Sequence, residues 1–161
     1  MPSPATPKFD FSCSITDAAS KKYPRWKSFT PLFELAAHEV LIAELPKIKE
    51  MKLGIVLMTD AELLKMNREV LKHDYYTDIL TFEIERDEVK VEAELYCSLD
   101  RASENARLNN VTLRNELARL AIHGMLHLAG YDDKKPAAVK KMREKENFFL
   151  EYLHSEKSIE Y

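Results

Sequence analysis

The sequence predicts a single α/β domain (α+β in type) spanning residues 1–161, with 1–7 as a flexible leader. Three observations lead there. Short apolar and β-branched runs such as Leu53–Met58 have the length of strands. Longer stretches carry apolar residues at helical spacing, notably Leu113, Leu117, Leu120 and Leu128. Finally, 161 residues with 45% apolar content suit one core, burying roughly 68–70% of the unfolded surface.

Taken in order, Phe9–Cys13 alternates apolar and polar residues and reads as a half-buried strand, with polar chain following to Trp26. Thr30-Pro31 opens a helix, a capping residue before proline, on which Leu32, Leu35, Ala36, Val40 and Ala43 recur until Pro46 stops it. His38 lies off that stripe and reads as solvated. The continuous run Leu53–Met58 suggests a strand covered on both faces, the best candidate for the centre of the sheet.

Thr59 and Glu62 form a capping box for a helix ending near Asn67. Leu71–Phe82 passes from polar loop into strand, and the acidic residues 83–94 read as a hairpin-like connection to a strand at Leu95–Ser98. Leu99–Asn109 is a short helix. Thr112 caps the helix of the leucine stripe, and Lys134-Lys135-Pro136 leads into a last helix to about Leu153, with Val139, Met142, Phe149 and Leu150 inward.

Composition removes several classes of function. With 24 basic against 27 acidic residues the net charge is −3, so any nucleic-acid contact must be local. Cys13 and Cys97 are too few for a disulfide scaffold or a four-cysteine metal cluster and read as buried free thiols. There is no membrane-length apolar run and no signal-peptide pattern near Met1, so a cytoplasmic protein is expected.

The segment most suited to chemistry is His123-Gly-Met-Leu-His-Leu-Ala-Gly-Tyr-Asp-Asp133. Histidines four apart on a helix lie about 40° apart round the axis and roughly 6 Å along it, so both imidazoles reach one cation. Gly130 permits the left-handed turn that brings back a third ligand, Asp133 or, alternatively, Asp132. Nitrogen and oxygen ligands suit zinc or a similar ion, and three of them leave a fourth position open, as catalytic sites do. Ordinary partnered histidines are the competing reading. Glu116 falls on the histidine side of the helix, too far along the axis to ligate, and reads as a structural partner or outer group. Gly124, inside a helix, marks a close approach by another element.

On these residues the chain resembles the YbeY family of ribosomal-RNA maturation endoribonucleases, whose signature reads His-Gly-x-Leu-His-Leu-x-Gly-Tyr-Asp-His. It departs from that signature at Asp133, where most members carry the third zinc-binding histidine. A second family signature is met by Asn67, Asp74, Thr77, Asp78, Leu80, Thr81 and Phe82, although Val70-Leu71 replaces its Tyr-Arg pair, and Ala93-Glu94-Leu95 stands for Gly-Asp-Ile. The resemblance, over roughly Phe9–Phe149, implies a small mixed sheet of about four strands packed by several helices, with the metal site on a helix and the turn after it. It implies one Zn2+ per chain on His123, His127 and Asp133, and a single-strand-specific endoribonuclease that matures the 16S ribosomal RNA 3′ end and serves ribosome quality control on the small subunit.

Candidate phosphate contacts are Arg68, Lys72 and His73, near the missing family arginine, and Lys140, Lys141 and Arg143 in the basic stretch after the ligands. Two other readings compete. One is a non-catalytic, metal-stabilised ribosome-associated module. The other is a zinc protease, against which Gly124 stands where His-Glu-x-x-His needs glutamate. No general base is identifiable in the sequence.

Overall fold

The computed structural model describes residues 3–161. Its elements are β1 (Lys8–Ile15), α1 (Asp17–Lys22), a 3-10 turn (Trp26–Phe29), α2 (Thr30–Glu44), β2 (Glu50–Met58), α3 (Asp60–Val70), β3 (Ile79–Arg86), β4 (Lys90–Ser98), α4 (Leu99–Leu108), α5 (Leu113–Leu128) and α6 (Pro136–Glu156). The strands form one mixed sheet in the order β1-β2-β4-β3, with β1, β2 and β4 parallel and β3 antiparallel to β4. The expected flexibility of 1–7 falls partly on Met1 and Pro2, which lie outside the described residues.

Alternation along the two inner strands decides where the core sits. Met51, Leu53, Ile55 and Leu57 of β2 and Val91, Ala93, Leu95 and Cys97 of β4 are buried on one face, where α2 and α5 pack. The opposite face is only partly covered. There Met58, Leu63 and Leu80 make a small cluster under α3, and Phe82 meets Tyr96 edge-on at 5.5 Å. β2 is therefore central but not enclosed on both sides, because Gly54 and Val56 point to this half-open face.

The hairpin is longer than its acidic composition suggested. β3 and β4 pair through the acidic residues, and the chain reverses where Asp87 Oδ1 accepts the Val89 and Lys90 amides at 2.8 Å each. Exposed glutamates and a register shift between Glu83 and Glu85 keep β3 a poor template for further pairing. The polar stretch before Trp26 also contains α1, which Thr16 caps by accepting from the Ala19 amide.

Helix α5 lies against the sheet at close range. A Cβ on Gly124 would stand 2.9 Å from both Leu95 methyls, so the glycine is what lets the helix settle there. Three expectations need correction. Val139 is 47% exposed, because the first turns of α6 border an open cleft and its buried stripe starts at Met142. His38 is half-buried, its ring 5.6 Å from that of Phe9. Cys97 is buried, but Cys13 only half so; burial raises its thiol to about 11. No helix among the described residues is long and apolar enough to cross a membrane.

Candidate metal centre

Local sequence at the end of α5 builds the site. The helix closes in a Schellman turn, the Tyr131 amide donating to Leu126 O and the Gly130 amide to His127 O, each at 3.0 Å, with Gly130 at φ +99°. Arg86 reaches across from β3 to donate to the Leu128 carbonyl at 2.7 Å. Tyr131 then anchors the returning chain by donating to Glu44 on α2 at 2.8 Å, and Lys145 of α6 bonds the same carboxylate. The reversal delivers Asp133 to the histidines.

Three candidate donor atoms converge. His123 Nε2 and His127 Nε2 are 3.0 Å apart, and Asp133 Oδ2 is 3.4 Å from the first and 3.7 Å from the second. One donor atom from each residue fits within 4.8 Å of the others. Asp132 is not among them: its Oδ1 accepts the Lys134 amide at 3.3 Å.

The other ring nitrogens fix the tautomers. His127 Nδ1 faces the Tyr131 carbonyl at 3.0 Å, which only accepts, so Nδ1 carries the hydrogen and Nε2 the lone pair. His123 Nδ1 faces Glu146 Oε2 at 2.9 Å. Burial raises the Glu146 carboxyl, but its bond to His123 and that to Arg119 at 3.0 Å outweigh this and hold it below its ordinary value, so it is an acceptor too. In their neutral forms the two rings therefore aim two lone pairs and a carboxylate oxygen at one point. A cation between them offsets the repulsion of these acceptors: a metal ion would take each as a ligand, and a proton on one Nε2 would be shared with the other. Burial tends to lower His123, yet the Glu146 bond and charge, with Asp133 and Asp78, raise it above the ordinary value.

The centre opens into a cleft of about 420 Å³ between α4, α5, α6 and the start of β3. Its walls carry Asp78, Glu116, Asp133 and Glu146 against Arg119 and Arg143. Asp78, held by Asn105 Nδ2 at 3.3 Å, and Glu116 are both raised by burial. Glu116 is buried on the cleft wall and makes no hydrogen bond to either histidine.

Of the proposed phosphate contacts, Arg143 lines the cleft, 3.4 Å from Glu146, while Lys140 stands outside it on a shallow groove of α6. Lys141 turns away to lie over the Tyr131 ring at 5.4 Å. Arg68 stands in the last turn of α3, and Lys72 and His73 lie on the loop that follows, where Arg68 pairs with Asp74 and His73 stacks on Tyr75. Sequence reasoning missed Glu146 and Arg119. The signal for Glu146 was a carboxylate within the apolar stripe Met142, Phe149, Leu150 and Leu153 of α6.

Comparison with known proteins gives the chain a family. The family model described as Endoribonuclease YbeY matches residues 16–154. Proteins named Endoribonuclease YbeY from Cytophaga hutchinsonii and Parabacteroides distasonis are 42% identical over 109 residues and 38% identical over 115, covering 68% and 71% of this chain and 76% and 80% of theirs. The solution structure of TM1509 from Thermotoga maritima superposes with a TM-score of 0.59 at 26% identity, covering 92% of this chain and 91% of that one. By the match over most of its length, and by the His-Gly-x-Leu-His segment set against a mixed four-stranded sheet, the chain belongs to the YbeY family.

Proposed function

We propose that this protein is a metal-dependent endoribonuclease specific for single strands, acting in the cytoplasm on ribosomal RNA of the small subunit, in 16S 3′-end maturation and quality control. The observation that carries the metal dependence is the convergence of two Nε2 lone pairs and Asp133 Oδ2, with both Nδ1 atoms already committed as donors. The RNA substrate rests on the relatives' names.

Zn2+ is the ion we assign to His123, His127 and Asp133, where it supplies Lewis acidity toward water and a phosphodiester oxygen. The chain's own contribution is electrostatic and positional. Four carboxylates line the cleft against two guanidiniums, so an anionic substrate is unwelcome until a dication offsets the excess. Arg143, exposed at the mouth and beside Glu146, is the cation placed to meet a phosphate. Glu146 and the Tyr131 carbonyl keep both rings in the ligating tautomer.

A protease reading meets a steric obstacle. Glutamate in place of Gly124 would have to start from a Cβ 2.9 Å from Leu95, inside the packed interface with the sheet. The non-catalytic reading is separated by activity. A single-stranded ribosomal RNA fragment incubated with the zinc-loaded protein is expected to be cut, with loss of cleavage in His127→Ala and in chelator. Tight binding without cleavage would favour the non-catalytic module.

A further inference from the structure

The loop from Leu71 to Asp78 exposes two tyrosines that packing does not explain. Tyr75 is 56% and Tyr76 54% exposed, on a loop that is hydrogen-bonded back to α3. Asn67, fully buried, donates through Nδ2 to the Tyr75 carbonyl at 2.9 Å, and its backbone carbonyl accepts the His73 amide at 3.1 Å. Lys72 makes the bend with φ +58°, and Arg68 ties down Asp74. Both rings also have a partner. His73 stacks on Tyr75 at 5.2 Å and 19°, with Nδ1 2.9 Å from the phenol oxygen, and the Arg101 guanidinium lies 5.0 Å from the centre of Tyr76.

This platform is continuous with the metal cleft. Asp78, two residues after Tyr76, lines the cleft and is bonded by Asn105. Arg101, Asn105 and Asn109 are four residues apart, so along α4 one face runs from the Tyr76 stack to the cleft wall, where Asn105 and Asn109 stand. A strand whose phosphate enters the cleft therefore has aromatic faces beside it.

We propose that Tyr75 and Tyr76, backed by His73 and Arg101, form a base-stacking platform that seats nucleotides of single-stranded RNA next to the scissile position. This rests on the endoribonuclease reading above. Single-stranded RNA is the occupant the surface fits: its unpaired bases need flat faces, which these rings offer without sequence preference, and a duplex keeps its own faces stacked. Stacking also supplies affinity that a chain of net charge −3 does not get from long-range attraction.

The test is anisotropy with a labelled single-stranded RNA of about ten nucleotides and an abasic strand of equal length and charge, with strand integrity checked after each titration. Tyr75→Ala and Tyr76→Ala are each expected to weaken RNA binding about tenfold, leaving the slope of affinity against salt and the metal content unchanged. Tyr76→Phe should bind like wild type, and wild type and the alanine variants should bind the abasic strand equally weakly. Alanine variants that bind RNA like wild type, or that lose as much affinity for the abasic strand as for RNA, would overturn the platform while leaving the endoribonuclease reading standing. A wild-type protein that binds no RNA would overturn both.

Discussion

His123 Nδ1 lies 2.9 Å from Glu146 Oε2, a bond that joins α5 to α6 and turns the opposite nitrogen of the ring toward His127 and Asp133. Glu146 is 4% exposed and also accepts from Arg119, so one buried carboxylate orients the His123 ring and neutralises a cation. Its removal should therefore be felt in two measurements. Glu146→Gln is expected to weaken Zn2+ binding about 10- to 100-fold in a competitive chelator titration. Glu146→Ala should also cost about 3 kcal/mol of stability by leaving the half-buried Arg119 without a counter-charge, its remaining bond being to the neutral Asn147 amide. Metal affinity unchanged in Glu146→Gln would remove the orienting role.

Gly124→Ala tests the close approach of α5 to the sheet. Alanine gains about 1 kcal/mol of helix propensity but brings a Cβ to 2.9 Å from two methyls of the fully buried Leu95, where overpacking costs about 1–3 kcal/mol. A net loss of about 1 kcal/mol, near 3 °C in melting temperature, is expected. A stabilised variant would mean that Leu95 yields freely and that the glycine serves some other purpose.

Glu62 sets a limb of the acid stability. Burial raises its carboxyl, but the Thr59 amide at 2.9 Å and the Thr16 hydroxyl at 2.7 Å outweigh this and hold it below its ordinary value of 4.5. A depressed folded-state pKa means stability fully present above about 4.5 and lost as pH falls through the lower folded value. Wild type is thus expected to exceed Glu62→Gln by about 1 kcal/mol at pH 7 in denaturant melts, with the gap closing below pH 4. A gap independent of pH would show that charge on Glu62 contributes nothing.

If the cation joins the α5 end to the following turn, its binding adds to folding free energy. Stripping the protein with a chelator should lower the melting temperature of wild type by about 5–10 °C and leave His123→Ala unmoved, taking free zinc near 100 times the dissociation constant as the loaded reference. Equal shifts in both proteins would place the chelator's action elsewhere.

What the sequence disclosed follows from the range of its interactions. The histidine pair, the Gly130 reversal, the Thr59–Glu62 box and the Thr112 cap are local devices, each complete within a few residues, and each is formed. Gly124 betrayed a close neighbour but not its identity, since Leu95 lies on β4, outside the helix. Glu146 and Arg119 were invisible as partners because they meet across 27 residues, and a lone carboxylate in a helix stripe does not name what it bonds. Asp132 and Asp133 were indistinguishable for a related reason: the choice depends on a backbone turn in which Asp132 is spent on the Lys134 amide. The Tyr75–Tyr76 loop read as ordinary polar chain, because Arg101 and Asn105, which tie it to the cleft, arrive from α4.

The most direct test is elemental analysis and Zn2+ titration of purified wild type beside His127→Ala, Asp133→Ala and Asp133→His. Wild type is expected to hold about one ion per chain, His127→Ala and Asp133→Ala to lose most of it, and Asp133→His to retain or strengthen it, because imidazole replaces the carboxylate at a similar bond length. Metal content equal to wild type in both His127→Ala and Asp133→Ala would contradict the three-ligand centre.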